Sequence, residues 1–282
     1  MLSLALAYLL LAGGSPRISQ SGPAIYEAYA VRFGILPAFA VSGLVAGAER
    51  GRTLDIPVMV WLLKGSSGRQ VLVDSGFYRQ KFLDQWKPRD FRTPAAAVES
   101  AGVKPDAITD IIISHAHWDH VDGADLFPKA TVWIQREEYR YYTGEAWHGR
   151  GRPGGVDAED MQALLKINTE GRLRFVEGDE QEIIPGLRCY TGGKHTFASQ
   201  YVSAKTGAGT VVFASDNIYL YENLEKHVPI AATFGPEGPA SNLQAQDRIR
   251  TLVSDPRLIV PGHDPLVFSK FPAVSDGVVR IK

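Results

Sequence analysis

Apolar and polar positions divide the chain into two groups of short strands, with helices between and beside them. The first group is predicted at 24–34, 56–65, 69–76, 109–114 and 129–135. The second group is predicted at 173–178, 181–192, 200–207, 210–216 and 257–262. The centre of the stretch TDIIIS at 109–114 is continuously apolar, which is typical of a strand buried on both faces.

Helical patterns are predicted at 92–103, 136–142, 157–167 and 241–255. In the first of these, Thr93 suits the N-cap, Pro94 suits the first helical position and Gly102 suits the end. Asp157 suits the N-cap of the third helix. By contrast, residues 35–54 have no clear period, and they predict a loop with the character of a mobile flap.

Strands in two groups that are interleaved with helices predict an α/β fold, in which two packed sheets carry helices on their outer faces. The chain has 282 residues, of which 45% are apolar, so it has enough material for one large core. We therefore expect a single domain over residues 21–282.

The first residues form an apolar leader. From Leu2 to Leu11 the chain is apolar apart from Ser3, a run that is shorter than the roughly 20 residues needed to span a bilayer. Its length suits a signal peptide, although no Lys or Arg precedes it. The alternative is an apolar leader or mis-set start that packs on the domain. We exclude residues 1–20 from the fold and expect a periplasmic or secreted protein if the leader is a signal, and a cytoplasmic one otherwise.

Charge and cysteine content exclude some classes of function. Thirty basic and 31 acidic residues nearly cancel, and no long basic run favours a nucleic-acid partner. The single cysteine, Cys189, rules out an intramolecular disulfide. No segment predicts stable insertion into a membrane.

Three of the seven histidines lie in the stretch SHAHWDH at 114–120. His115 directly follows a buried strand, and His117 can point to the same side in an extended turn. Asp119 and His120 begin the next element and point differently. Imidazole and carboxylate are the ligands that Zn²⁺ takes when thiolates are absent. The cluster therefore predicts two half-sites for metal ions.

One cluster cannot complete two tetrahedral sites, so further ligands are expected. His195, Asp216 and His263 each follow a predicted strand, in or beside a turn, as His115 does. These three residues are the candidates. The two histidines that remain, His148 and His227, lie outside this pattern. His148 lies in a glycine-rich loop, where it is expected to be solvated; the alternative is that it lines a pocket.

In this order, the candidate ligands resemble those of the metallo-β-lactamase superfamily. VLVDSG at 71–76 is similar to the strand and turn that precede the histidine motif in that family. The resemblance covers roughly residues 25–270. It implies a four-layer αβ/βα sandwich with a dinuclear metal site at the sheet edge.

The resemblance also implies a role for each residue. His115, His117 and His195 would hold the first of two divalent ions, and Asp119, His120 and His263 the second, with Asp216 bridging them. Zn²⁺ is expected, with cobalt, manganese or iron as alternatives. Asp74 resembles the aspartate that orients a ligand histidine in the family; its alternative is an ordinary turn-stabilising aspartate.

Further features resemble the N-acyl-homoserine lactonase branch. SDNIY at 215–219 places Tyr219 three residues after the bridging position, and PGHDPLVF at 261–268 is similar to the last motif of that branch. Lys194 is a departure, because a small residue usually precedes the ligand histidine. The apolar residues around 35–47 are a candidate acyl-chain pocket; the alternative is that they only cover the core.

Other branches of the superfamily match less well. True β-lactamases with dinuclear sites differ at the positions of His120 and Asp216. Glyoxalase II enzymes carry a helical domain after the last histidine, where this sequence has 19 residues. Flavodiiron proteins have glutamate at the position of His117. The sequence shows no recognisable insertion of the kind that nucleases of this fold carry.

The resemblance implies a hydrolase that opens N-acyl-homoserine lactones through a metal-bridging hydroxide, and thereby quenches quorum sensing. Tyr219 would contact the carbonyl or leaving oxygen, and Asp119 would pass a proton. The alternatives are another dinuclear hydrolase of this fold (an organophosphate triesterase, arylesterase or sulfatase) and a metal-binding or signalling protein with little turnover. The expected partner is a small lactone or ester, and a homodimer is an open option.

Overall fold

The computed structural model describes residues 24–149 and 153–282. The predicted leader lies outside these residues, and its cleavage stays a prediction. The helices are α1 Gln80–Trp86, α2 Pro94–Ser100, α3 Trp118–Val121, α4 Arg136–Thr143, α5 Ala158–Thr169, α6 Tyr221–Lys226, α7 Gly238–Leu252 and α8 Val267–Lys270. The strands are β1 Tyr26–Ala40, β2 Thr53–Gly65, β3 Gln70–Val73, β4 Asp110–Ile112, β5 Thr131–Gln135, β6 Leu173–Val176, β7 Gln181–Ile184, β8 Leu187–Thr191, β9 Gln200–Thr206, β10 Gly209–Ser215, β11 Ile259–Pro261, β12 Ala273–Ser275 and β13 Val278–Arg280.

The strands form one hydrogen-bonded path in the order β11-β10-β9-β1-β2-β3-β4-β5-β6. Strand β8 adds the β7–β8 hairpin to β9, and β13 pairs with β1 and β12. The halves predicted as two sheets meet at the parallel pair β1–β9, where Tyr26 is the register partner of Thr206. The two halves are therefore parts of one hydrogen-bonded sheet, joined through β1 and β9, and they pack face to face.

Alternating side chains divide the interior into layers. In β3, Val71 and Val73 belong to the core between the two sheet halves, whereas Leu72 belongs to the outer core under the helices. Trp61 from one half and Phe213 from the other meet in the inner core, with their ring centroids 5.9 Å apart. Because each strand presents alternate residues to opposite faces, both faces of the sheet need covering. The prediction of a four-layer αβ/βα sandwich is confirmed.

Strand β1 is longer than the sequence predicts. It continues to Ala40 and pairs with β2 through Ala40 and Thr53, so residues 35–40 are strand and not loop. Two register shifts interrupt the pairing, between Arg32 and Gly34 and between Leu36 and Phe39. Each shift breaks the alternation of apolar and polar positions. The irregular strand consequently has no period of two to detect.

The predicted helix caps are present. The Thr93 side chain accepts a hydrogen bond from the Ala96 amide at 3.2 Å, and Asp157 accepts one from the Glu159 amide at 2.9 Å. Helices α1, α3, α6 and α8, and strands β12 and β13, are not among the predicted elements, and the strand predicted at 181–192 is the hairpin of β7 and β8. No helix in the described ranges is long and apolar enough to cross a membrane.

The strand directions determine where the candidate residues gather. Strand β4 runs parallel to β3 and β5, and β10 runs parallel to β11. Strand β8 is antiparallel to β9, which is antiparallel to β10, so β8 and β10 point the same way. The loops that follow β4, β8, β10 and β11 carry polar residues, and these residues meet at the carboxyl ends of the strands. Ligands bind at this end of the sheet in other α/β folds.

Candidate metal centre

Seven side chains converge at this edge in two groups, which are the ones the sequence singles out. Within each group the ligand atoms lie within 4.8 Å of one another. The first group is His115, His117, His195 and Asp216, and the second is Asp119, His120 and His263.

Asp216 is a member of the first group, and its second carboxylate oxygen faces the second group. Its Oδ2 lies 3.2 Å from His195 Nε2 and 3.6 Å from His115 Nε2. Its Oδ1 lies 3.2 Å from His263 Nε2 and 3.4 Å from His120 Nε2. A carboxylate in this position can bind two cations at once.

The Nδ1 atoms of His195 and His263 are hydrogen-bonded to backbone carbonyl oxygens, and the Nε2 atoms of both rings face Asp216. His195 Nδ1 lies 3.0 Å from the Ala232 carbonyl oxygen, and His263 Nδ1 lies 3.1 Å from that of Pro57. A carbonyl oxygen only accepts, so each Nδ1 carries a proton, and each Nε2 is the nitrogen that is left to bind a cation.

Asp74 completes this arrangement for His120 and His115. Its Oδ2 accepts a hydrogen bond from His120 Nδ1 at 2.8 Å and one from Ser114 Oγ at 2.9 Å. Ser114 Oγ in turn lies 2.9 Å from His115 Nδ1. Asp74 adopts a left-handed backbone, with φ at +60°, and is fully buried. These contacts place Asp74 where it can orient ligand histidines, as the resemblance implies.

The residues fit divalent metal ions. Three buried atoms that face the centre, His115 Nε2, His120 Nε2 and Asp216 Oδ1, have no hydrogen-bond partner among the described residues. Buried polar atoms without a partner are costly, and a bound cation would satisfy all three. A set of imidazoles and carboxylates without thiolate suits Zn²⁺ and related divalent ions.

Comparison with known proteins agrees with this geometry. The family model described as the Metallo-beta-lactamase superfamily matches residues 54–263 of the 282. The chain belongs to the metallo-β-lactamase superfamily. It is 28% identical to the N-acyl homoserine lactonase AiiA of Bacillus thuringiensis subsp. kurstaki, over 76% of this chain and 84% of that protein.

Two further proteins are similar to this chain. The chain is 28% identical to the N-acyl homoserine lactonase AttM of Azorhizobium caulinodans, over 78% of this chain and 87% of that protein. A solved N-acyl homoserine lactone hydrolase, with the product N-hexanoyl-L-homoserine at its catalytic metal center, shares the fold. Its TM-score is 0.72 at 23% identity, over 89% of this chain and 98% of that one.

Tyr219 lies beside both groups of candidate ligands. Its ring centroid is 5.5 Å from that of His195 and 5.8 Å from that of His263. Burial raises the pKa of its phenol well above the usual range, and the Asp216 and Asp119 carboxylates add to the effect. The protonated phenol is a hydrogen-bond donor beside the Asp216 carboxylate.

The cluster holds protons in the absence of metal. Burial opposes a charge on His120 and on His263, but the Asp216 and Asp119 carboxylates outweigh it and raise the pKa of both, with Asp74 adding to the effect on His120. Burial and its histidine neighbours hold the pKa of His115 well below the usual range. The neutral His115 is ready to bind a cation, whereas His120 and His263 must first lose their protons.

Metal loading is therefore expected to release protons. Because their pKa is raised, His120 and His263 bind protons more readily in the metal-free chain than free histidines do, and a metal ion competes with those protons, so apparent metal affinity is expected to rise with pH. Titration calorimetry with Zn²⁺ in two buffers of different ionisation enthalpy measures the released protons. A proton count of zero across the pH range would contradict this expectation.

Two residues that the sequence analysis did not select support the site. Gly155, with φ at +71°, packs against the His117 ring, where an added Cβ would lie 2.6 Å from Cδ2. Glu138 accepts hydrogen bonds from the segments beside His117 and His195. Neither residue has a local signal, because Gly155 lies in a glycine-rich stretch and Glu138 follows another glutamate.

Other residues named from the sequence lie away from the ligands. Lys194 donates a hydrogen bond to the Phe197 carbonyl oxygen at 3.2 Å, and His148 is exposed. Leu36 and Val41, from the candidate acyl-chain segment, are buried in the outer core. Phe39 stacks on a tryptophan of α1.

A cavity of about 520 Å³ opens beside the first group. His117 and His195 form its inner wall, and Tyr141 and Phe234 are among its aromatic residues. Its size is within the range of small-molecule sites. It gives a substrate access to the first group of ligands.

Proposed function

We propose that the protein opens the ring of N-acyl homoserine lactones by hydrolysis and thereby quenches signalling by these compounds. The chain is a hydrolase of ester bonds with a metallo-β-lactamase fold, and a lactone is a cyclic ester. The observation that carries the proposal is the geometry of Asp216, whose two oxygens face separate ligand groups beneath the phenol of Tyr219. The lactonase relatives support the choice of substrate.

Two divalent ions, with Zn²⁺ as the proposed metal, would be held by the two groups and joined by Asp216. When bound, such ions polarise a carbonyl oxygen and lower the pKa of water to near neutrality.

The chain's own residues supply orientation and proton transfer. Tyr219 donates a hydrogen bond to the oxygen on which negative charge develops as the ester carbonyl is attacked. The Asp119 carboxylate is partly exposed, with 14% of its side chain accessible, and its Oδ2 lies 3.7 Å from His263 Nε2. From there it can accept the proton that the attacking water loses and pass it to the leaving alcohol oxygen of the ring.

The test is ring opening of a medium-chain N-acyl homoserine lactone. Proton release is the readout, and metal-loaded and chelated protein are measured side by side. Opening that stops on chelation and returns with Zn²⁺ or Co²⁺ is the expected result. A panel containing a phosphotriester, an aryl ester and an aryl sulfate is run in parallel. Turnover of one of these without turnover of the lactone, in protein that carries two metals per chain, would overturn the proposed substrate.

Replacing Tyr219 by phenylalanine is expected to lower kcat about 100-fold, because one hydrogen bond to the developing oxyanion is lost. Metal content is expected to stay the same, since the substitution leaves all the histidines and aspartates of both groups in place. Steady-state kinetics and metal analysis on the same preparation measure both quantities. Tyr221→Phe is the matched control, because its buried hydroxyl has no hydrogen-bond partner among the described residues. Equal kcat values for the two variants would refute the role of Tyr219.

A further inference from the structure

The Glu138 carboxylate joins the two loops that carry the three histidines of the first group. Its Oε1 accepts hydrogen bonds from the Ala116 amide at 2.9 Å and from Thr196 Oγ1 at 2.6 Å. Its Oε2 accepts one from the Ala198 amide at 2.6 Å. Ala116 lies between two ligands, and Thr196 directly follows the third. One side chain on α4 therefore ties together segments that are separated by about 80 residues.

The burial of Glu138 needs an explanation. The side chain is fully buried, and among the described residues no lysine or arginine pairs with it. Burial raises its pKa, while the three hydrogen bonds and nearby His195 oppose that rise. A buried charge without a cationic partner is costly, and a neutral side chain would serve packing at lower cost. The neighbouring Glu137 is exposed and pairs with Arg140 at 3.2 Å.

A dication held by the first group would supply the missing positive charge. Residues that hold metal ligands in place through hydrogen bonds commonly change the affinity for the metal without contacting the ion. Each carboxylate oxygen of Glu138 accepts a hydrogen bond from an amide of a different loop, Oε1 from Ala116 and Oε2 from Ala198.

We propose that Glu138 is a positioning residue, which holds the loops of His115, His117 and His195 in place for the first metal ion. This inference rests on the proposed function only in requiring that the two groups bind metal. Its test contains no substrate, so its failure is distinguishable from failure of the lactonase proposal.

The test is Glu138→Gln in the full-length protein. Glutamine keeps the shape but offers one acceptor oxygen and an NH₂ group, so at least one of the three donors loses its partner. Metal per chain is measured after equilibration with Zn²⁺ buffered by a graded chelator. We expect one of the two ions to bind about 10–100-fold more weakly, and the other to bind as in the wild type. The Co²⁺-substituted variant is expected to show an altered d–d absorption spectrum. Glu137→Gln is the matched control, with wild-type metal binding and spectrum.

A second variant keeps the inference testable if Glu138→Gln does not fold. Thr196→Val removes one donor and leaves the carboxylate and both backbone contacts, so a smaller weakening of the same ion is expected. Two ions retained with wild-type affinity, or two ions weakened equally, would overturn the role of Glu138. A wild-type protein that binds no metal would overturn the proposed function as well.

Discussion

Replacing Asp216 by asparagine is expected to lower kcat/KM for lactone opening at least about a thousandfold and to leave fewer than two metal ions per chain. The expectation follows from the two oxygens of Asp216, which lie 3.2 Å from His195 Nε2 on one side and 3.2 Å from His263 Nε2 on the other. An amide nitrogen in place of one oxygen cannot bind a cation, so the link between the two groups is lost. Activation of water depends on the metal centre, which explains the large effect.

The Asp216→Asn variant needs a control that separates loss of a ligand from loss of stability. Asp264 is also buried and adjoins a ligand histidine, but its oxygens accept hydrogen bonds from the Tyr221 and Leu266 amides at 2.7 Å. Asp264→Asn is therefore expected to unfold at a lower temperature and to retain both metal ions. Metal analysis, kcat/KM and thermal unfolding are measured on both variants. Two ions and wild-type kcat/KM in Asp216→Asn would show that this carboxylate is not a bridge.

The contrast between the two aspartates shows what the sequence can predict about this site. Asp216, His195 and His263 all follow apolar strands, and the spatial meeting of such residues follows from the common direction of β8, β10 and β11. Position relative to a strand is a local property, so a single sequence carries it. Their assignment as metal ligands stays a prediction until metal is measured.

Features that depend on contacts between distant segments are not readable in this way. Glu137 and Glu138 are adjacent glutamates on one helix, yet one is exposed and the other is buried against loops about 20 and 60 residues away. Only the docking of α4 distinguishes them. The register shifts in β1 had a similar effect, because they removed the alternation that identifies a strand in residues 35–40.

Gly155 is the second position where a large effect is expected, and its importance also comes from a distant contact. Gly155→Ala places a methyl carbon 2.6 Å from His117 Cδ2 and 2.8 Å from Nε2, which is closer than van der Waals contact permits. The His117 ring is half-buried, and its Nδ1 lies 2.9 Å from His195 Nε2, a contact that limits how far the ring can turn away. The loop itself is held by the Trp118 amide, which donates a hydrogen bond to the Gly155 carbonyl oxygen at 2.9 Å.

The alanine variant also adopts an unfavourable backbone, because φ at Gly155 is +71° and a left-handed conformation costs an alanine about 1–2 kcal/mol. Either the loop or the ligand ring must move. A displacement of about 1 Å at a reacting centre lowers activity about 100-fold, so kcat/KM is expected to fall by at least that factor, with weaker binding of one metal ion.

Gly154→Ala is the matched control for this substitution. An added Cβ at Gly154 has no atom within 4 Å, and the carbonyl oxygen that hydrogen-bonds to His117 is kept. Wild-type metal content is therefore expected in Gly154→Ala and a reduced content in Gly155→Ala, measured after the same exposure to chelator. Equal metal retention by the two variants would mean that the loop moves to accommodate the methyl group. It would also mean that His195 and the backbone of His117 are enough to hold the His117 ring. In that case the close approach at Gly155 would serve packing and not the metal centre.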